Sequence, residues 1–95
     1  MLAIRAVPTF IRIAKKLHPQ EKKLLDQAVK KIAHEPSLGE EKRVDLGSVF
    51  VYKFKMNCQD FLMAYELLPD KHQPKELVLL SLGAHENFYR ELKRI

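Results

Sequence analysis

The sequence predicts an α+β domain of order β-α-α-β-β-β, in which an N-terminal helical hairpin covers an antiparallel sheet and a short helix closes the chain. Three observations carry that reading. Residues 10–33 repeat their apolar positions at helical spacing, behind prolines at 8 and 19. Residues 49–82 fall into three segments rich in β-branched, aromatic and leucine side chains, separated by short polar breaks. Finally, 95 residues are one domain's worth of chain, enough for a single pair of packed layers.

Each element has its own signal. Residues 2–7 are short, apolar and partly alternating, which predicts a first strand ended by Pro8 and Thr9. Phe10, Ile13, Ala14 and Leu17 mark one face of a helix over 9–17, with Arg12, Lys15 and Lys16 on the other. Pro19 disfavours a helical His18 and suits the first turn of a second helix over 20–34, where Glu21 places an anion near the positive end of the dipole. Leu24, Leu25, Ala28, Val29, Ile32 and Ala33 form its apolar stripe, with Lys22, Lys23, Lys30 and Lys31 opposite. Pro36 ends it, and helices joined so closely should pack as an antiparallel hairpin. Residues 36–47, with the charged run Glu40-Glu41-Lys42-Arg43, are expected to form an exposed loop.

The second half changes period. Strands are expected over 49–56, 61–68 and 76–82, with turns at 57–60 and from Pro69 onward. The last strand is almost wholly apolar, which suits an interior position in the sheet. The short gaps predict antiparallel neighbours. After Gly83, Phe88, Leu92 and Ile95 are spaced to pack a short helix back on the sheet.

Composition narrows the function classes. No apolar run approaches the ~20 residues that span a bilayer. The N-terminus has no charged start before a long apolar stretch, so no export signal is read there. Cys58, the single cysteine, has no internal disulfide partner, and a reducing cytoplasmic compartment is expected. The net charge of +5 favours polyanionic partners, although a well-solvated surface has the same signature. There is no cysteine-rich or His-x-x-x-His metal pattern, no phosphate-cradling glycine loop and no serine nucleophile motif. His18, His34 and His72 sit at turns or helix ends and are given no role.

Two groups of residues can carry chemistry. In Tyr52-Lys53-Phe54-Lys55, strand alternation sends Tyr52 and Phe54 under the helices and sets Lys53 and Lys55 together on the outer face. Paired cations either stabilise a phosphate and the extra charge of its transition state or simply solubilise an open sheet face. The second group is the closing stretch Gly83-Ala84-His85-Glu86-Asn87-Phe88-Tyr89-Arg90-Glu91-Leu92-Lys93-Arg94-Ile95. If it is helical, His85 and Tyr89 are neighbours one turn apart, a titratable imidazole beside a phenol among cations. The bland alternative is a histidine capping a strand end and a packing tyrosine.

The helical hairpin with Phe10 and Leu17, the stretch Pro36-Ser37-Leu38-Gly39-Glu40, the phrase Val51-Tyr52-Lys53-Phe54-Lys55 and the ending Gly83-Ala84-His85-Glu86-Asn87-Phe88-Tyr89-Arg90 occur together at a characteristic spacing. In this the chain resembles, nearly end to end over 1–95, the RelE/ParE superfamily of toxins from bacterial type II toxin–antitoxin modules. The resemblance implies a RelE-like fold and, for RelE-type members, metal-independent cleavage of mRNA in the ribosomal A site by attack of a ribose 2′-hydroxyl on the adjacent phosphate. It implies that His85 exchanges a proton with the attacking or leaving oxygen, that Lys53 and Lys55 stabilise the phosphorane, and that Tyr89 stacks on a base or orients the phosphate. Arg90, Lys93 and Arg94, with Lys42 and Arg43, would contact nucleic-acid backbone. The implied partners are a cognate antitoxin, the ribosome and mRNA, with no membrane, no metal and no small-molecule cofactor.

The sequence departs from that pattern at one place. RelE-type members carry an arginine on the middle strand shortly before an aromatic, and here the strand reads Phe61-Leu62-Met63-Ala64-Tyr65. ParE members share the fold, poison DNA gyrase and generally lack the ribonuclease residues. Three activities therefore follow as alternatives: a ribosome-dependent endoribonuclease, a gyrase poison, and a non-catalytic homologue that only binds its antitoxin.

Overall fold

The computed structural model describes residues 2–44 and 47–84, with side chains at all of these except 43, 44, 47 and 48. The order of elements is β1 (Ala3–Ala6), α1 (Pro8–Lys15), α2 (Pro19–His34), a 3-10 turn (Pro36–Leu38), β2 (Glu40–Val44), β3 (Gly47–Met56), β4 (Gln59–Leu68) and β5 (Glu76–Ala84). The strands form one sheet in the order β1-β5-β4-β3-β2. The helical pair covers one face, as expected. Neighbours from β2 to β5 are antiparallel, while β1 runs parallel to β5, so the sheet is mixed.

Local chemistry sets the helix starts. Val7 and His18, each followed by proline, are extended (ψ 159° and 158°), and each proline takes a first-turn position that needs no N–H donor. Glu21 Oε1 accepts a hydrogen bond from the His18 backbone N–H at 2.9 Å, which satisfies one of the unpaired donors of the first turn.

The apolar stripe of α2 buries Leu25, Ala28, Val29, Ile32 and Ala33, and α1 adds Phe10. Against them the sheet sets Phe50 and Met56 of β3, Met63, Tyr65 and Leu67 of β4, and Leu77, Leu79 and Leu82 of β5. A regular strand would send Leu79 and Leu82 to opposite faces. An irregularity resolves this: Ala64 pairs with Ser81 and Tyr65 with Leu79, so Leu80 is an extra residue and the leucines on both sides of it reach the same core. The outer face carries a smaller apolar cluster of Val49, Val51, Leu62 and Ala64, with Leu80 packed against it.

Two sequence expectations are corrected. The exposed loop over 36–47 is a 3-10 turn followed by strand β2, which pairs with β3 from Glu40↔Val51 to Val44↔Gly47. A sheet edge is where charged strands are tolerated, and Glu40 to Arg43 occupy such an edge. The turn over 57–60 is shorter than expected. β4 starts at Gln59, which leaves a two-residue connection in which Asn57 (φ 52°) and Cys58 (φ 64°) are both left-handed. That is the backbone a tight hairpin needs to match strand twist.

Tyr65 holds the start of β2 in place. Its ring is fully buried and stacked on Phe50 at 5.4 Å. Its hydroxyl donates to the Pro36 carbonyl at 2.6 Å and accepts from the Gly39 N–H at 3.0 Å. Burial pushes the phenol up to about 12, with the Gly39 N–H pulling the other way. Gly39 is needed for space: a Cβ there would run into the hydroxyl and come within 2.8 Å of two ring carbons.

Candidate functional site

β3 carries the site residues that the structure describes. Its even positions, Phe50, Tyr52, Phe54 and Met56, pack toward the helices, and Tyr52 and Phe54 stack at 5.9 Å. The odd positions therefore face out, which brings Lys53 and Lys55 to the same side of the sheet, about 6.6 Å apart along the strand. Both are exposed. At that spacing in water their mutual repulsion is below about 1 kcal/mol, so the pair is easily held open for an anion.

The partner strand adds a residue that sequence reasoning had placed in a turn. Asp60 lies opposite Lys55 in the β3–β4 register, and its Oδ2 is 3.8 Å from Lys53 Nζ. Its Oδ1 is shielded from solvent without a hydrogen-bond partner. Extending the β4 alternation two residues back from Leu62 would have put Asp60 on this face. The next residue on that face, Leu62, lies opposite Lys53 and is only 3% exposed, within the outer apolar cluster. The position beside the lysine pair is therefore filled by hydrocarbon.

The hairpin turn that ends at this site is tied to the helical layer. Asn57 Nδ2 donates to Glu21 Oε2 at 3.1 Å, so one carboxylate both caps α2 and holds the turn between Lys55 and Asp60. On the far side of β4, Phe61 pairs with Ala84 of β5, while Phe54 pairs with Phe61. The row Phe54–Phe61–Ala84 thus adjoins the row of Lys55 and Asp60, and in sequence Ala84 is followed by His85.

The other expected residues stand as follows. Lys42 pairs with Val49 and shares the outer face with the two lysines. Val49 is four residues from Lys53, about 13 Å along the strand. Lys42 Nζ meets Glu40 Oε1 at 2.9 Å. Arg43 joins β2 opposite Ser48, and its side chain is not described. His85, Tyr89, Arg90, Lys93, Arg94 and the expected C-terminal helix lie outside the described residues. Among the described residues, no group of three or more His, Cys, Asp or Glu side chains is placed to hold a metal ion, and no helix is long and apolar enough to cross a membrane.

Comparison with known proteins adds to this geometry. A family model described as the ParE-like toxin of type II bacterial toxin–antitoxin systems matches residues 4–93. No curated protein matches the sequence. Several solved structures share the fold, three of them as follows. A chain of the intact E. coli RelBE toxin–antitoxin complex aligns at TM-score 0.65 and 13% identity, covering 88% of this chain and 96% of that one. A mutant of the E. coli RelE toxin in the free state aligns at TM-score 0.68 and 15% identity, covering 99% and 97%. The RelBE2 toxin–antitoxin complex from Mycobacterium tuberculosis supplies a chain at TM-score 0.63 and 19% identity, covering 88% and 98%. Identities this low speak to the fold alone.

Proposed function

Because the chain belongs to the ParE-like toxins of type II bacterial toxin–antitoxin systems, we propose that it arrests translation as a metal-independent endoribonuclease acting on mRNA at the ribosome. One observation supports this most. Lys53 and Lys55 share the open face at the end of the sheet where β5 ends at Ala84, the residue that His85 follows in the sequence. In this reading a ribose 2′-hydroxyl attacks the adjacent phosphate, the bond to the 5′ oxygen of the next nucleotide breaks, and a cyclic phosphate remains. His85 takes the proton from the attacking oxygen or gives one to the leaving oxygen. The lysine pair stabilises the charge that grows on the phosphorane. Tyr89 stacks on a base or orients the phosphate, and Arg90, Lys93, Arg94, Lys42 and Arg43 meet nucleic-acid backbone. A cognate antitoxin is the expected protein partner, as the RelBE complexes illustrate for their toxins, and the cytoplasm is the expected compartment.

The test is induced expression with mapping of mRNA 5′ ends. Cuts within translated frames are expected, and they should vanish in His85→Ala and in the double variant Lys53→Ala with Lys55→Ala, whose circular dichroism stays that of the parent. Growth arrest with intact messages rejects the reading.

Leu62 favours a second reading. A buried leucine stands beside Lys53, on the strand where RelE-type members carry an arginine. A toxin of this family without that cation can act instead as a gyrase poison. DNA damage and filamentation with uncut mRNA is the outcome that selects this alternative.

A further inference from the structure

On the helix side of β3, opposite the lysine pair, a cleft of about 210 Å³ opens between α2 and β3. Its apolar floor is Leu24 and Ala28. One wall is the half-buried pair Tyr52 and Phe54, whose rings are within 13° of parallel. Gln27 and Lys31, both exposed and one turn apart on α2, form the rim with Lys55. The lining contains two lysines and an amide but no carboxylate. We propose that this cleft seats one unpaired nucleobase of an RNA strand whose phosphate rests at Lys53 and Lys55.

Three features select that occupant. The volume is below the ~300–1,000 Å³ of sites that enclose a whole small molecule, so the cleft takes a single ring system. Aromatic faces accept any base by stacking, while an amide that both donates and accepts can read a base edge. A purely apolar protein side chain would waste that edge and desolvate Gln27 and Lys31 without return. The cationic rim suits the phosphates on either side of the base. Lys55 links the two places, since it borders the cleft and belongs to the lysine pair. A nucleotide chain crossing the end of β3 can therefore place a phosphate on one side and a base on the other.

The inference rests on the RNA reading proposed above, and its test separates the two. Solution NMR of the full chain is recorded with a 2′-O-methyl RNA trinucleotide, which cannot be cleaved, and with the same strand lacking its middle base. Cross-peaks from base protons to the Tyr52 and Phe54 rings are expected. Loss of the base should weaken binding about ten- to a hundredfold. The double variant Gln27→Ala with Lys31→Ala, on exposed positions, should bind both strands alike, at or below the weaker level, while Lys53→Ala weakens both by the same factor. Equal binding of the two strands, with no contact to the rings, overturns the cleft while the RNA reading survives. Contacts to the rings with uncut mRNA in cells leave the cleft standing and remove the nuclease. If neither strand shifts any resonance, the inference is overturned.

Discussion

A carboxylate 3.8 Å from Lys53 Nζ competes with any phosphate for that ammonium. Exposed pairs of this kind are worth only about 0–1 kcal/mol, so Asp60 tempers the site without closing it. Asp60→Asn should tighten RNA binding up to about fivefold, as read by fluorescence anisotropy; a weaker complex would mean that the carboxylate positions the lysine instead. Tyr65 governs a different property. Its phenol rises from 10.0 to about 12 in the fold, chiefly through burial. The unfolded chain therefore loses this proton first. The stability that depends on it is complete below pH 10 and declines as pH climbs from 10 to about 12. Of the three tyrosines, one should ionise last in an ultraviolet titration, and that step should vanish in Tyr65→Phe. The same variant leaves the Gly39 N–H and the Pro36 carbonyl without the hydroxyl, at a cost of about 1–3 kcal/mol in urea unfolding.

Among the elements, the hairpin between β3 and β4 carries a visible strain. Asn57 tolerates left-handed backbone, but Cys58 at φ 64° does so at a cost of about 1–2 kcal/mol. Cys58→Gly should therefore raise the thermal midpoint, by an amount corresponding to about 1 kcal/mol; an unchanged midpoint would show that the turn adapts. This turn also marks the limit of what the sequence told. Asparagine–glycine at 57–58 would have announced a two-residue hairpin, whereas asparagine–cysteine reads as a longer break and hid the strand position of Asp60. β2 was hidden for another reason. Its Glu-Glu-Lys-Arg run has the composition of a loop, and only its place at the sheet edge makes those charges compatible with a strand. The helices and the facing of Lys53 and Lys55 were legible, because periods of 3.6 and 2 are local properties of the chain. The Asp60 pairing, the Leu62 burial and the α2–β3 cleft depend on which segments meet, and no local period records that.

At the scale of the whole molecule, charge is the property that reaches farthest. A net +5 on a chain of 95 residues, with lysines on the outer sheet face and along both helices, draws in a polyanion before any specific contact forms. RNA affinity of the purified protein should fall steeply with salt, with log K linear in log salt concentration and a slope near −0.7 for each phosphate neutralised. Removing both Lys53 and Lys55 should flatten that slope by more than one such unit, and an unaltered slope would place the contacts elsewhere.

The parallel pairing of β1 with β5 gives this toxin an order of assembly. Ala3 meets Glu76, Ile4 meets Leu77, and among the described residues β1 pairs with no other strand. β1 is thus completed by β5, with both helices and strands β2, β3 and β4 lying between them in the chain. Bringing such distant segments together costs about 4 kcal/mol of chain entropy before any contact repays it, by the logarithmic dependence on loop length. A nascent chain can form its helical hairpin early, yet its sheet stays open at β1 until residues 76–79 have left the ribosome. The sheet is thus completed at β1 only after the helices and the other three described strands have been made.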